Sequence, residues 1–310
     1  MPTPSVSVMV RGWSAEAGVS GQMVLAAAKR VEDLGLDGIV VGDHVSFFGG
    51  GNDGIMLLTA MAAVTDRVEL KTCVYLLPLR HPVPVAQQVA QLDQLSNGRF
   101  IFGVGIGGED PNEFWSCGVD PTTRGARTNE SLEIVKRLLV EDGVRFKGRH
   151  FELENASINP KPLRPTPIFI GGRSDAALVR TGRYGDGYTG IWQSVKRFAQ
   201  SQEVVAEAAA AAGRADAPIE FGMQFWTSIA DSKEAARDVV GQRMAGMYKL
   251  PFEQFERYTP YGTAKQVAEF IAPYAEAGAR HVNLITVQGS IEEEAERAAE
   301  VQQELAALLS

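Results

Sequence analysis

The chain has 310 residues, 45% of them apolar and 22% charged, a globular composition and a length suited to one α/β barrel. A formal net charge of −8 excludes a broad basic footprint for nucleic acid or anionic membrane, and no apolar run approaches a membrane span. Two cysteines, Cys73 and Cys117, build no disulfide framework, and Met1–Met9 lacks the basic start and length of a signal peptide; the expectation is a cytoplasmic chain with no nucleic-acid or membrane partner.

Strand-like runs alternate with apolar residues at helical spacing. Ser5–Val10 alternates as a first strand, and Val24, Ala27, Ala28, Val31 and Leu34 then mark a helix closed by Gly35. Gly38–Gly42 ("GIVVG") reads as a strand buried on both faces. A helix over Ile55–Val64 leads to strand three at Val68–Leu77, and Val85, Val89, Leu92 and Leu95 mark the next helix. Phe100–Val104 is strand four. After a helix around Leu132–Leu139, Val144–Leu153 reads as an inserted hairpin turning at Gly148, and Pro160, Pro162, Pro165 and Pro167 make an extended connector. Ile168–Ile170, Gly187–Ile191, Ile219–Ile229 and Val282–Thr286 supply strands five to eight, each followed or preceded by a helical segment. Thr263 with Gln266, and Ser290 with Glu293, have the spacing of capping boxes.

Eight strand–helix units in this order predict an α/β chain, a (β/α)8 TIM barrel over residues 1–310 as one domain, with insertions after strands four and seven. The alternative is a doubly wound open sheet, which the absence of a glycine fingerprint after strand one disfavours.

In a barrel the carboxyl ends of the strands carry function. Those ends bring Trp13, Asp43, His44, Phe47, Cys73 and Tyr75 together with Glu109, Glu113 and Trp192, a set rich in aromatics and poor in metal ligands, so no metal site is expected. Cys73 reads as a small apolar interior residue rather than a nucleophile. Two glycine-rich stretches compete as a phosphate site. In "RFIFGVGIGGEDPNEFW" (99–115) the acidic Glu109, Asp110 and Glu113 would repel phosphate, and Pro111-Asn112 favours a turn over a helix N-terminus. "IGGRSD" (170–175) is the better cradle: Gly171 and Gly172 allow close backbone approach, Arg173 adds charge, and Ser174 caps the helix that follows. The glycines of the first stretch are expected instead to make room for a planar ring.

"GDH" (42–44), "LPLRHPVPVAQQVAQLDQLSNGRFIFGVGIG" (77–107), "RGAR" (124–127), "PTPIFIGGRSD" (165–175) and "GRYGDGY" (182–188) resemble the bacterial luciferase-like monooxygenase superfamily, in order and over most of the chain. The resemblance implies a (β/α)8 barrel, a homodimer, and FMN or the deazaflavin F420 as coenzyme. It implies a non-proline cis peptide at Cys73-Val74 beside the coenzyme ring, Asp43 and His44 at the ring with His44 as ring ligand or proton donor, and Gly171, Gly172, Arg173 and Ser174 at the coenzyme phosphate. It offers Glu109 as a second acid–base group. Residues 246–262 fall in a region that shapes the substrate pocket in such proteins. The resulting expectation is an F420-dependent oxidoreductase moving a hydride between the deazaflavin and an uncharged or aromatic small organic substrate, with Trp13, Phe47, Tyr75, Glu113 and Trp192 walling the pocket. The alternative is an FMN-dependent monooxygenase using reduced flavin and O2; a separate reductase would regenerate the coenzyme.

Overall fold

The computed structural model describes residues 3–14 and 18–310. Its first half runs β1 (Ser5–Met9), α1 (Gly21–Asp33), β2 (Gly38–Val41), α2 (Gly54–Ala62), β3 (Glu69–Thr72), β4 (Tyr75–Leu76), α3 (Pro82–Leu95) and β5 (Phe100–Gly105). There follow α4 (Pro111–Ser116), α5 (Arg124–Val140), the antiparallel hairpin β6 (Val144–Lys147) and β7 (Glu152–Ala156), β8 (Ile168–Gly171) and α6 (Asp175–Tyr184). The remainder is β9 (Gly187–Ile191), α7 (Val195–Ala211), β10 (Glu220–Ile229), α8 (Lys233–Tyr248), β11 (Tyr261–Gly262), α9 (Ala264–Glu276), β12 (His281–Thr286) and α10 (Ile291–Leu309).

Parallel pairing runs β1–β2–β3–β5–β8–β9–β10–β12, and β12 pairs back to β1, so eight strands close on themselves. This is the (β/α)8 barrel; closure removes the open-sheet alternative. Helix starts follow local chemistry: Ser20, Asp53, Ser174, Ser194 and Ser232 each accept a backbone N–H of the first turn. Both capping boxes, Thr263/Gln266 and Ser290/Glu293, are formed reciprocally. Among the described residues no helix is long and apolar enough to cross a membrane.

The main apolar core lies between barrel and helices, where outward strand residues such as Val6, Val8, Ile39, Val41, Leu70 and Phe102 are packed. The barrel interior is more polar. Lys71 is fully buried with Nζ 3.5 Å from His281 Nδ1 and 4.8 Å above the Phe169 ring, and burial lowers its pKa. His281 Nε2 lies 2.6 Å from a Glu220 carboxylate oxygen.

Two expectations need correction. The third strand is broken: β3 stops at Thr72, the Cys73–Val74 peptide is cis, and β4 resumes pairing against Val104 and Gly105 of β5. Pro111-Asn112 is no turn but the start of α4, because proline suits the first helical position and Asp110 caps it by accepting the Asn112 N–H at 2.9 Å.

The strand break explains the glycines. A Cβ on Gly103 would overlap the Thr72 carbonyl oxygen, and Cβ atoms on Gly105 and Gly171 would overlap the two methyls of Val74 from opposite sides. These glycines admit the bend and Val74. Gly105→Ala is therefore expected to destabilise by about 1–3 kcal/mol, the usual cost of overpacking. Adding Val74→Ala should recover most of it; urea unfolding showing simple additivity of the two changes would contradict the contact.

Candidate active site

The carboxyl ends of the strands surround a cavity of about 360 Å3. One wall is the segment after β2, where His44 and Phe47 face the cavity with their rings stacked at 4.2 Å. Cys73 and Val74 from the β3–β4 break, with Gly105, Ile106 and Gly107 after β5, form the adjoining side. Gly171 and Gly172 follow, then Thr189, Ile191 and Trp192 after β9. The opposite side comes from Gln224 and Trp226 on β10, Thr286 on β12, and Arg243, Met247 and Tyr248 on α8.

His44 is the titratable side chain whose placement implies chemistry. Its Nδ1 lies 3.2 Å from both carboxylate oxygens of Glu113, while Nε2 has no hydrogen-bond partner among the described residues. Glu113 Oε1 also accepts the backbone N–H groups of Val45 (2.7 Å) and Ser46 (3.3 Å). Burial alone would push the Glu113 carboxyl up, but the bonds from His44 and the two amides outweigh it and hold the pKa below its ordinary value. The carboxylate is therefore ionised at neutral pH and accepts only. Nδ1 must carry a proton, and the uncharged tautomer that meets this condition presents a lone pair at Nε2. Next to it Asp110, also buried, accepts the Phe48 N–H at 2.9 Å, so α4 holds the whole 44–48 segment.

Asp43 borders the cavity, yet its carboxylate is engaged from behind. It is 1% exposed and accepts from Gly54 N, Leu76 N and both terminal nitrogens of Arg80 at 2.7–2.9 Å. Arg80 also reaches Asp53, the cap of α2, and lies 4.3 Å over the Tyr75 ring. Cys73 donates its thiol hydrogen to Gln224 Oε1 at 2.6 Å, and burial pushes its pKa up to about 11, so the thiol stays protonated and is no nucleophile.

Three anticipated pocket residues are elsewhere. Trp13, 42% exposed, lines a shallow separate groove with α1 and α2 residues such as Val24 and Leu57. Tyr75 is fully buried in the core against Phe102, because the break at residues 73–74 interrupts the alternation that would have aimed it inward. Glu113 sits behind His44, turned there by its place in the first turn of α4. Glu109 is exposed at the cavity mouth. Trp192 lines the cavity with its backbone at φ +51°, packed on Phe255 and under Arg173, and its indole N–H is buried without a partner among the described residues. Arg173 and Ser174 are exposed beside the cavity at the head of α6, where the Ser174 hydroxyl accepts the Ala177 N–H at 3.3 Å.

Sequence reasoning missed Arg80 and Arg243, whereas Met247 and Tyr248 of α8 fall within the 246–262 region expected to shape the pocket. Arg243 and Met247 lie four residues apart on that helix, a spacing that aligns them, and Tyr248 adjoins them, its hydroxyl accepting the Trp226 indole N–H at 3.1 Å. Arg11, which also lines the cavity, donates through Nε to the buried Glu294 carboxylate at 3.0 Å. Burial raises Glu294 from an ordinary value of 4.5 to about 7, against the pull of Arg11 and Arg243. A raised folded-state pKa makes the protein less stable as pH rises from 4.5 through 7, by about 3 kcal/mol in full. Glu294→Gln should flatten that part of the stability–pH curve measured by urea unfolding; an unchanged slope would assign it to other groups.

The chain matches the family described as luciferase-like monooxygenase over residues 6–306. It is 30% identical over 295 residues to an F420-dependent glucose-6-phosphate dehydrogenase of Amycolatopsis mediterranei (strain U-32), an alignment covering 82% of this chain and 85% of that enzyme. Its fold is that of an F420-dependent secondary alcohol dehydrogenase solved with an F420–acetone adduct (TM-score 0.85, 20% identity, 98% of this chain and 99% of the other). It is also that of the oxygenating constituent of 3,6-diketocamphane monooxygenase from Pseudomonas putida in complex with FMN (TM-score 0.77, 18% identity, 98% of each chain). A barrel of this topology, matched from its first strand to its last helix, places the chain in the luciferase-like monooxygenase family as an oxidoreductase.

Proposed function

We propose that the chain is an F420-dependent oxidoreductase that oxidises a small hydroxyl-bearing organic substrate, or reduces the matching carbonyl. The observation that carries this reading is the His44–Glu113 pair: one proton-accepting nitrogen, fixed in orientation, in a largely apolar cavity at the barrel mouth. The relative at 30% identity with an F420-dependent name favours F420, whereas the FMN-bound neighbour shares the fold at 18% identity.

The residues fit a planar coenzyme. The walls are mainly apolar, while the buried Thr286 hydroxyl and the Trp192 indole N–H, both at the cavity, lack partners among the described residues. When bound, F420 supplies a ring carbon that takes up or returns a hydride, and it does not activate O2 as reduced FMN does. Val74, Gly171 and Gly172 would hold it, with Arg173 and Ser174 available to its phosphate. His44 Nε2 takes the hydroxyl proton as the carbon beside it gives up a hydride, leaving a carbonyl; the reverse reaction returns that proton. Glu109 is the second acid–base group, at the mouth. Phe47 and Trp192 cover the site and exclude water. We further assign the chain to the cytoplasm as a homodimer, with a separate enzyme regenerating the coenzyme.

Anaerobic assay of the purified protein with F420 against a panel of alcohols and sugars should show bleaching of the deazaflavin absorbance. O2 uptake with reduced FMN, and none of that bleaching, would establish the monooxygenase reading instead.

A further inference from the structure

We infer that Glu113 is a positioning residue that locks the tautomer of His44, and that the lock resides in the division of labour between its two oxygens. Oε1 is the acceptor for both backbone donors, Val45 N and Ser46 N. The imidazole Nδ1 lies 3.2 Å from both oxygens, and Oε2 has no other bond among those described. The side chain is 2% exposed, so water does not substitute for either partner. A carboxylate in this place accepts a proton-bearing Nδ1 and leaves Nε2 as a lone pair toward the cavity.

The same geometry dictates what an isosteric amide does. In Glu113→Gln the backbone N–H groups of Val45 and Ser46 require an acceptor, so the amide oxygen must take the place of Oε1. The amide NH2 then occupies the place of Oε2, 3.2 Å from Nδ1, and because the oxygen at the Oε1 place already accepts the two backbone N–H groups, the NH2 donates to a bare Nδ1. The imidazole proton moves to Nε2, and His44 faces the cavity as a donor instead of an acceptor. Shape, loop anchoring and burial are kept; only the direction of the hydrogen bond is reversed. The same logic governs the acid member of hydrolase triads, where the amide variant leaves the geometry intact and the wrong tautomer in place.

The spectroscopic test needs neither coenzyme nor substrate. The chain holds four histidines, so two-bond 1H–15N spectra at a pH where they are neutral resolve each ring, with a His44→Gln sample assigning the one of interest. The wild type should show a pyridine-like Nε2, and Glu113→Gln a pyridine-like Nδ1. Amide exchange at Val45 and Ser46 should stay slow in Glu113→Gln and become fast in Glu113→Ala. A wild-type ring protonated at Nε2, a tautomer unchanged in Glu113→Gln, or loss of amide protection in Glu113→Gln would each overturn the inference. The kinetic arm rests on the F420 reading: Glu113→Gln should lower kcat for alcohol oxidation by roughly 10²–10⁴-fold with little change in KM. A flipped tautomer with undiminished turnover would uphold the lock and overturn His44 as the proton acceptor, so the two ideas fail separately.

Discussion

Replacing His44 with glutamine is expected to lower kcat for F420-linked alcohol oxidation by roughly 10²–10⁴-fold, the range typical of a lost general base. Glutamine spans a similar distance and its amide can donate to the Glu113 carboxylate, so the 44–48 segment stays anchored by the Val45, Ser46 and Phe48 amides. What disappears is the ring nitrogen able to take a proton. The measurement is steady-state turnover at saturating coenzyme, with thermal unfolding as a check that the fold is intact. A variant that keeps wild-type kcat would transfer the acid–base role to Glu109, the carboxylate exposed at the mouth.

The largest stability effect is expected from Asp43→Ala, at about 3–5 kcal/mol. The aspartate is buried and takes four hydrogen bonds, two of them from the Arg80 guanidinium and two from the backbone at Gly54 and Leu76. Truncation leaves a largely buried cation with only Asp53 as counter-charge, and two amides without acceptors. The pair joins the end of β2, the start of α2 and the strand break at residues 73–74, so its loss loosens the wall that carries His44. Arg80→Ala added to Asp43→Ala should cost less than the sum of the two single changes, because no orphaned charge remains. Urea unfolding of the four proteins gives the coupling; strict additivity would mean that Asp43 acts through the two amides alone.

The barrel was readable in the sequence because many local signals agreed. Strand runs, helical spacing, serine and threonine caps and the two capping boxes all pointed the same way, and each acts within a few residues of itself. The site was readable only where it too is local, at His44, Phe47, Val74, Gly171 and Trp192 beside strand ends. It was misread where geometry depends on distant chain. Alternation counted from Cys73 puts Tyr75 on the cavity side, but the strand break sends it to the core. Glu113 reads as a side chain reaching for substrate until α4 is seen, and then the first helical turn aims it at His44, 69 residues earlier. Arg80 gives no local sign of Asp43, 37 residues before it. The glycines of 103–108 invited a ligand, yet Gly103 and Gly105 are required by Thr72 and Val74 of the protein itself.

We propose that this cavity binds a deazaflavin in preference to a flavin. Competitive titration of the purified protein with F420 and with FMN, followed by coenzyme fluorescence and repeated on His44→Gln, tests it directly. Saturable F420 binding that FMN displaces only at large excess is expected, with binding retained in the variant that loses turnover. Tight FMN binding with no saturable F420 binding would contradict it.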